Sequence, residues 1–284
     1  MIPAAFDYAA PTTLEEALTL LAQAGDEGKI LAGGQSLIPV LKLRLAAPEH
    51  LIDLGKIDGL NGISEDGDAL VIGAMTPHHV VASDPLVARH AGLIQKATQT
   101  VADPQVRHRG TFGGALVHAD PAGDLPAPAL ALEAEFVIAG PGGTRTVSAA
   151  DFFQGLFTTA VGEDEILTQV RIPKTTGWGS DYQKFTRVAQ QWSIVGIAAA
   201  IRVEGGAIAE ARIGLTNMGS VPIRATAVEQ ALVGCALEEA AVKAATASAA
   251  EGTNPPSDTN GDANFRRHLA GVLTARAVLK AGAN

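Results

Sequence analysis

The sequence is poor in the residues from which metal and redox centres are usually built. Its one cysteine, Cys235, cannot close an internal disulfide, complete a structural zinc site or hold an iron–sulfur cluster. Val233, Gly234, Ala236 and Leu237 surround it, a setting in which a cysteine reads as a small buried hydrophobe. Aromatic residues are only 4% of the chain, which favours helices and small-residue packing over a large aromatic core. No basic run stands out. Arg107, His108 and Arg109 form the densest cluster in a chain of net charge −9, too short to follow a nucleic-acid backbone. The longest apolar stretch, Ile194 to Ile201, falls far short of a bilayer span. The first eight residues carry neither a charged nor an apolar leader region. A soluble, cytoplasmic protein with no nucleic-acid partner is the expectation.

Several catalytic signatures are also missing. There is no Gly-x-Gly-x-x-Gly fingerprint and no P-loop, so a nucleotide would not be held in the Rossmann manner. There is no Gly-x-Ser-x-Gly elbow, no His-Glu-x-x-His and no evident hydrolytic triad.

What remains is a globular composition, 47% hydrophobic and 18% charged over 284 residues, long enough for two or three compact units. Thr13 to Glu16 reads as a capping box opening a helix that stops at Gly25. Lys29 to Ala32 is a short strand, Leu37 to Leu45 a helical stretch and Leu51 to Leu54 a closing strand. Ala69 to Ala74 is the next strand, with Thr76-Pro77 starting a helix. Glu135 to Ala139 and Arg145 to Ser148 flank a glycine-rich turn, and Ile166 to Pro173 is a further strand. Thr175 to Ser180 has linker composition. Beyond it lie three strand patterns (Tyr182 to Val188, Ser193 to Glu204, Ala207 to Thr216). Three alanine-rich helices follow: Arg224 to Val233, Leu237 to Ala250 and Asn264 to Ala281. The boundaries predicted are 1–56, 57–176 and 177–284, and strands followed by helices make the last unit α+β.

Two similar loops carry the chemical signal: Ala32-Gly33-Gly34-Gln35-Ser36 and Thr111-Phe112-Gly113-Gly114-Ala115. Without Cβ atoms, adjacent glycines let successive N–H groups converge and let an oxygen approach the backbone. Such a loop, especially one leading into a helix, makes an anion nest. Taken singly, each doublet reads as a turn, since a chain with 31 glycines contains others. Two matched pairs, each beside a hydroxyl, favour a bound diphosphate.

His118, Asp120 and Asp124 lie among prolines just after the second pair. They read either as a weak metal cluster or as a rigid loop aiming Asp124 at a ligand hydroxyl or ring N–H. His78 and His79 are adjacent on a helix, cannot chelate together and read as surface residues. Lys184, within a strand pattern, is a solvated charge or a contact to a phosphate or ring. Trp192 is a loop anchor or a cover for an aromatic face.

These motifs resemble the flavoprotein (medium) subunit of molybdenum-containing hydroxylases, most closely the aerobic carbon monoxide dehydrogenase type. The similarity runs through Phe6-Asp7-Tyr8, Ala32 to Pro39, Ile72 to Thr76, Ala102 to Arg107, Thr111 to Gly114, Asp120-Pro121, Asp124 to Ala127 and Ile213 to Asn217. The resemblance implies an α+β fold: a two-part FAD-binding domain of the vanillyl-alcohol-oxidase (PCMH) type and a C-terminal α+β domain with an antiparallel sheet and helices. It implies that the two glycine loops take the FAD pyrophosphate, that Asp124 contacts FAD, and that Leu167 and Lys184 lie near the flavin. Trp192 falls near a tyrosine that covers the isoalloxazine.

The second loop departs from the family's Thr-Ile-Gly-Gly-Asn at Phe112 and Ala115, and the lost asparagine amide removes one possible FAD contact. The implied partners are a small subunit with two [2Fe-2S] clusters and a large subunit with the molybdenum cofactor, joined as a dimer of heterotrimers. Electrons would leave to a quinone, oxygen or another carrier. The alternative within the family is the same role in an aldehyde or N-heterocycle dehydrogenase, and a free-standing flavin oxidase and a metal-dependent hydrolase are the readings from other classes.

Overall fold

The first unit is a small parallel sheet. Thr13 caps α1 (Leu14–Ala24) by accepting from the Glu16 amide at 3.1 Å, and the Glu16 carboxylate reaches back to the Thr12 amide at 2.9 Å. This box differs from the usual one, in which the acid takes the cap residue's own N–H. Strands β1 (Asp7–Ala9), β2 (Gly28–Leu31) and β3 (His50–Asp53) pair in parallel in the order β1-β3-β2. The short helix α2 (Leu37–Lys42) follows β2. The Gly33-Gly34 loop therefore leaves the carboxyl end of a parallel strand, where ligands bind in open α/β sheets. The computed structural model describes residues 2–283.

The second unit is a five-stranded antiparallel sheet formed by β4 (Ile63–Asp66), β5 (Ala69–Gly73), β6 (Glu135–Gly140), β7 (Gly143–Ser148) and β10 (Ile166–Pro173), in the order β4-β5-β10-β6-β7. Between β5 and β6 run six short helices: α3 (His78–Ser83), α4 (Pro85–His90), α5 (Gly92–Gln99), α6 (Pro104–Arg109), α7 (Phe112–His118) and α8 (Pro126–Ala131). Asp84 and Asp103 cap the proline-initiated α4 and α6, which fits proline's preference for the first helical position. A one-turn helix α9 (Ala149–Phe152) and the small hairpin β8 (Phe153–Gly155) and β9 (Thr158–Thr159) complete this unit. Phe136 and Phe152 stack at 3.7 Å in its core, with Phe153 edge-on.

The third unit is a four-stranded antiparallel sheet, β11 (Gly179–Phe185), β12 (Val195–Glu204), β13 (Ala207–Thr216) and β14 (Ile223–Arg224), paired in that order. Helices α10 (Thr226–Leu232), α11 (Glu239–Ala245) and α12 (Ala263–Gly282) follow. The apolar run of β12 has a simple cause: both faces of the strand are covered. Ile197, Ala199 and Ile201 join the core beneath the C-terminal helices, while Ala198 and Ala200 join the core of the second unit. The second interface is tight. A Cβ on Gly214 would lie 2.4 Å from the Ala127 carbonyl oxygen of α8.

Three expectations change here. The stretch read as a linker is partly structural: Thr175 is buried and hydrogen-bonded to the His90 carbonyl, and Gly179 and Ser180 begin β11. His78 is buried while His79 is exposed, because neighbours on a helix point in different directions. Cys235 is only partly buried, its thiol over the Ala236 carbonyl.

Candidate functional site

The two glycine loops meet. A Cβ on Gly33 would lie 2.2 Å from the Arg109 carbonyl oxygen and 2.7 Å from the Gly110 Cα, and one on Gly114 would lie 3.4 Å from the Ala32 Cβ. Loop Ala32–Ser36 thus rests directly on the backbone that leads into Thr111–Ala115. Real Cβ atoms do not approach backbone this closely, so glycine at 33 is what allows the two segments to touch.

The loops do different work. Gly34 has φ +72°, the left-handed region that favours glycine, and within the described residues no hydrogen bond engages the amides of Gly33, Gly34, Gln35 or Ser36. The Gln35 side chain donates to the Gly33 carbonyl at 3.3 Å. Four consecutive N–H groups at a left-handed turn before a helix fit an anion such as a diphosphate.

In the second loop every amide from Phe112 to Ala115 is already engaged. Phe112 donates to the Thr76 carbonyl at 2.9 Å, Gly113 to Ala74 at 2.8 Å, and Ala115 to Thr111 at 3.1 Å. Gly114 donates to the Thr111 hydroxyl at 3.2 Å, the N-cap of α7. Unlike those of the first loop, the amides of Gly113 and Gly114 already have partners within the chain. Gly113 instead admits close packing, since a Cβ there would lie 2.5 Å from the Ala74 Cβ. Phe112 is wholly buried in the core, and Ala115 packs at its edge.

Leu167 is also buried, in β10, beside a register shift between Leu167 and Gln169. The skipped residue, Thr168, accepts the Ala74 amide at 2.9 Å. One hydrogen-bond ladder therefore runs from the Leu167 bulge through Ala74 to Gly113. Bulges of this kind recur beside functional sites.

Asp124 sits on the turn before α8, buried, and meets Lys184, a contact not anticipated from the sequence. Lys184 Nζ donates to Asp124 Oδ2 at 2.7 Å and to the Thr100 carbonyl at 3.1 Å. Two residues that the sequence reading missed complete the cluster: Tyr182 donates to Oδ1 at 2.9 Å and Ser193 at 2.8 Å. The signal was faint. Tyr182 and Lys184 stand two apart on β11 and so share a face. Burial pushes the Asp124 carboxyl above its usual range, against the opposing pull of Lys184, Ser193 and Tyr182. Burial and then the Asp124 carboxylate push the Tyr182 phenol well up, so it stays protonated and donates.

The metal reading of His118, Asp120 and Asp124 finds no support: Asp124 already faces an ammonium, and no group of three metal-ligating side chains occurs among the described residues. His118 instead lies against the Phe157 ring, centroids 5.2 Å apart. Trp192 is 53% exposed, next in sequence to the Ser193 that holds Asp124.

His78 lies beneath the strut that carries Gly33. Its amide donates to the Gly110 carbonyl at 2.8 Å, its ring would be 2.8 Å from a Cβ on Gly110, and its Nδ1 has no partner among the described residues. Burial, then Arg107, lower its pKa to about 4, which keeps the imidazole neutral near neutrality.

Comparison with known proteins accords with this geometry. Residues 4–175 match the FAD binding domain in molybdopterin dehydrogenase, and residues 180–281 match the CO dehydrogenase flavoprotein C-terminal domain. The carbon monoxide dehydrogenase medium chain of Hydrogenophaga pseudoflava is 42% identical over 281 residues, covering 98% of this chain and 97% of that one. The glyceraldehyde dehydrogenase medium chain of Sulfolobus acidocaldarius is 37% identical, covering 98% of each chain. Among solved structures, a chain of the Hydrogenophaga pseudoflava carbon monoxide dehydrogenase, in a form lacking the Mo-pyranopterin moiety, superposes with a TM-score of 0.96. It is 44% identical, over 100% of this chain and 99% of that one. No helix among the described residues is long and apolar enough to cross a membrane. The chain belongs to the FAD-binding medium-subunit family of carbon monoxide dehydrogenase and related molybdenum hydroxylases, a family of oxidoreductase subunits.

Proposed function

We propose that this chain is the FAD-carrying subunit of a cytoplasmic molybdenum hydroxylase that oxidises carbon monoxide. In this reading a small partner subunit with two [2Fe-2S] clusters and a large subunit with the molybdenum cofactor complete the enzyme. Bound FAD supplies the redox chemistry that connects those centres to an external acceptor such as a quinone. The observation that carries the reading is the row of free amides at Gly33–Ser36, pressed against the second glycine loop.

The residues have distinct tasks. Gly33, Gly34, Gln35 and Ser36 hold the diphosphate through backbone N–H groups, each bond to a charged acceptor contributing roughly 1.5–3 kcal/mol. Thr111, Phe112, Gly113, Gly114 and Ala115 form the rigid floor, with Ala32 at the junction. Asp124 and Lys184 orient the flavin end, Leu167 packs beneath it and Trp192 covers it.

Purified chain titrated with FAD is expected to bind it without a covalent bond, and the holo complex to carry two partner subunits. A folded chain that takes up no FAD contradicts the reading. An aldehyde-oxidising complex is the second reading, favoured by the glyceraldehyde dehydrogenase relative. Assay of the purified complex with carbon monoxide and with aldehydes separates the two.

A further inference from the structure

The two oxygens of Asp124 are unequally loaded. Among the described residues, Oδ1 accepts from both Tyr182 and Ser193, whereas Oδ2 accepts from Lys184 alone. An ionised carboxylate offers about two acceptor positions on each oxygen. Oδ1 is therefore full, and Oδ2 has a single place left, beside the Lys184 ammonium.

The fold is built to keep this arrangement. Asp124 comes from the first matched domain, and all its donors come from the second. Ser193 is fixed from both sides: its amide donates to the Ala122 carbonyl at 3.3 Å, and its carbonyl accepts from Asn217 Nδ2 at 2.7 Å. Asn217 in turn has φ +61° and donates its amide to the Pro121 carbonyl at 2.8 Å. The Tyr182 hydroxyl fits only because residue 196 is glycine. A Cβ there would lie 2.6 Å from that hydroxyl and 2.9 Å from the Thr216 Cβ. Both donors are buried, at 6% and 1% exposure, so neither has solvent as an alternative partner.

We propose that Tyr182 and Ser193 are positioning residues that saturate Oδ1 of Asp124, so that the carboxylate receives one neutral donor, a hydroxyl or ring N–H of the flavin nucleotide, at Oδ2 on the Lys184 side. The inference rests on the FAD reading above and deepens it. A site with one open acceptor position next to an ammonium selects a polar donor with a defined direction of approach. Losing Tyr182 or Ser193 opens Oδ1 to competing partners and removes a donor that favours the ionised carboxylate.

The test uses full-length chain and FAD titrations over a range of pH, with Tyr182→Phe, Ser193→Ala, Ser193→Thr and Asp124→Asn. Tyr182→Phe and Ser193→Ala are each expected to weaken FAD binding about tenfold. They should also move the acid limb of the affinity profile to higher pH, because the neutral carboxyl then persists further up the scale. Ser193→Thr, which keeps the hydroxyl, should restore both properties. Variants that lose thermal stability but keep the wild-type affinity and pH profile would reduce the two residues to struts and overturn the proposal. Asp124→Asn binding FAD as tightly as wild type would overturn it too, while leaving the FAD reading intact. Only a wild-type chain that fails to bind FAD would remove that reading itself.

Discussion

Gly33-Gly34 and Gly113-Gly114 are the same dipeptide in similar surroundings, yet they solve different problems. At the first pair four amides, those of residues 33–36, have no partner among the described residues. At the second pair the amides are engaged, and the missing side chain lets α7 close onto Ala74. One pair presents hydrogen-bond donors; the other removes bulk. Glycine in a sequence reports that space or conformational freedom is needed, and the neighbouring partners determine which.

The sharpest way to break this comparison is to add one methyl at each pair. Gly33→Ala places a carbon against the Arg109 carbonyl, which is backbone and cannot swing aside. The loops must part, and FAD affinity is expected to fall at least about 100-fold, roughly 2.7 kcal/mol, by titration. Gly113→Ala presses on Ala74 instead, and overpacking of this kind costs about 1–3 kcal/mol of stability. Thermal denaturation of the FAD-free chain should show a lowered Tm for Gly113→Ala and a smaller change for Gly33→Ala. Equal losses of stability in both variants would erase the distinction.

A third substitution concerns the support under the loops. The folded pKa of His78, about 4, lies below the unfolded value near 6.5. Its contribution to stability is therefore present above about pH 6.5 and is lost as pH falls toward 4, up to about 3 kcal/mol in all. His78→Leu should flatten the acid limb of stability measured by urea unfolding. An unchanged acid slope would show that other groups govern it.

The smallest effect belongs to the cap of α7. Thr111→Val removes the hydroxyl that receives the Gly114 amide and is expected to cost about 1 kcal/mol, whereas Thr111→Ser should cost little. Matched denaturation curves for the two variants check this.

Much of the site was legible because its parts are local. A strand followed by two glycines and a hydroxyl reads directly as a loop leaving a sheet, Asp124 stood out in a proline-flanked loop, and Lys184 stood out within a strand pattern. Two features were beyond reach for a physical reason. Tyr182 and Ser193 matter only through Asp124, 58 and 69 residues away, and no local pattern records that contact. The engagement of the Gly113 amide depends on Ala74, brought alongside by the pairing of β5 with β10. The early end of α2, expected to run to Leu45, has a local cause: it stops at Lys42, and Arg44 follows with φ +55°, a left-handed turn that hydrophobic periodicity does not reveal.

Amide hydrogen exchange, measured residue by residue with and without FAD, tests the division of labour between the two glycine pairs most directly. The account predicts that the amides of residues 112–115 are protected before FAD is added, and that those of residues 33–36 exchange freely until FAD protects them. Protection by FAD that appears at 112–115 and not at 33–36 would contradict it.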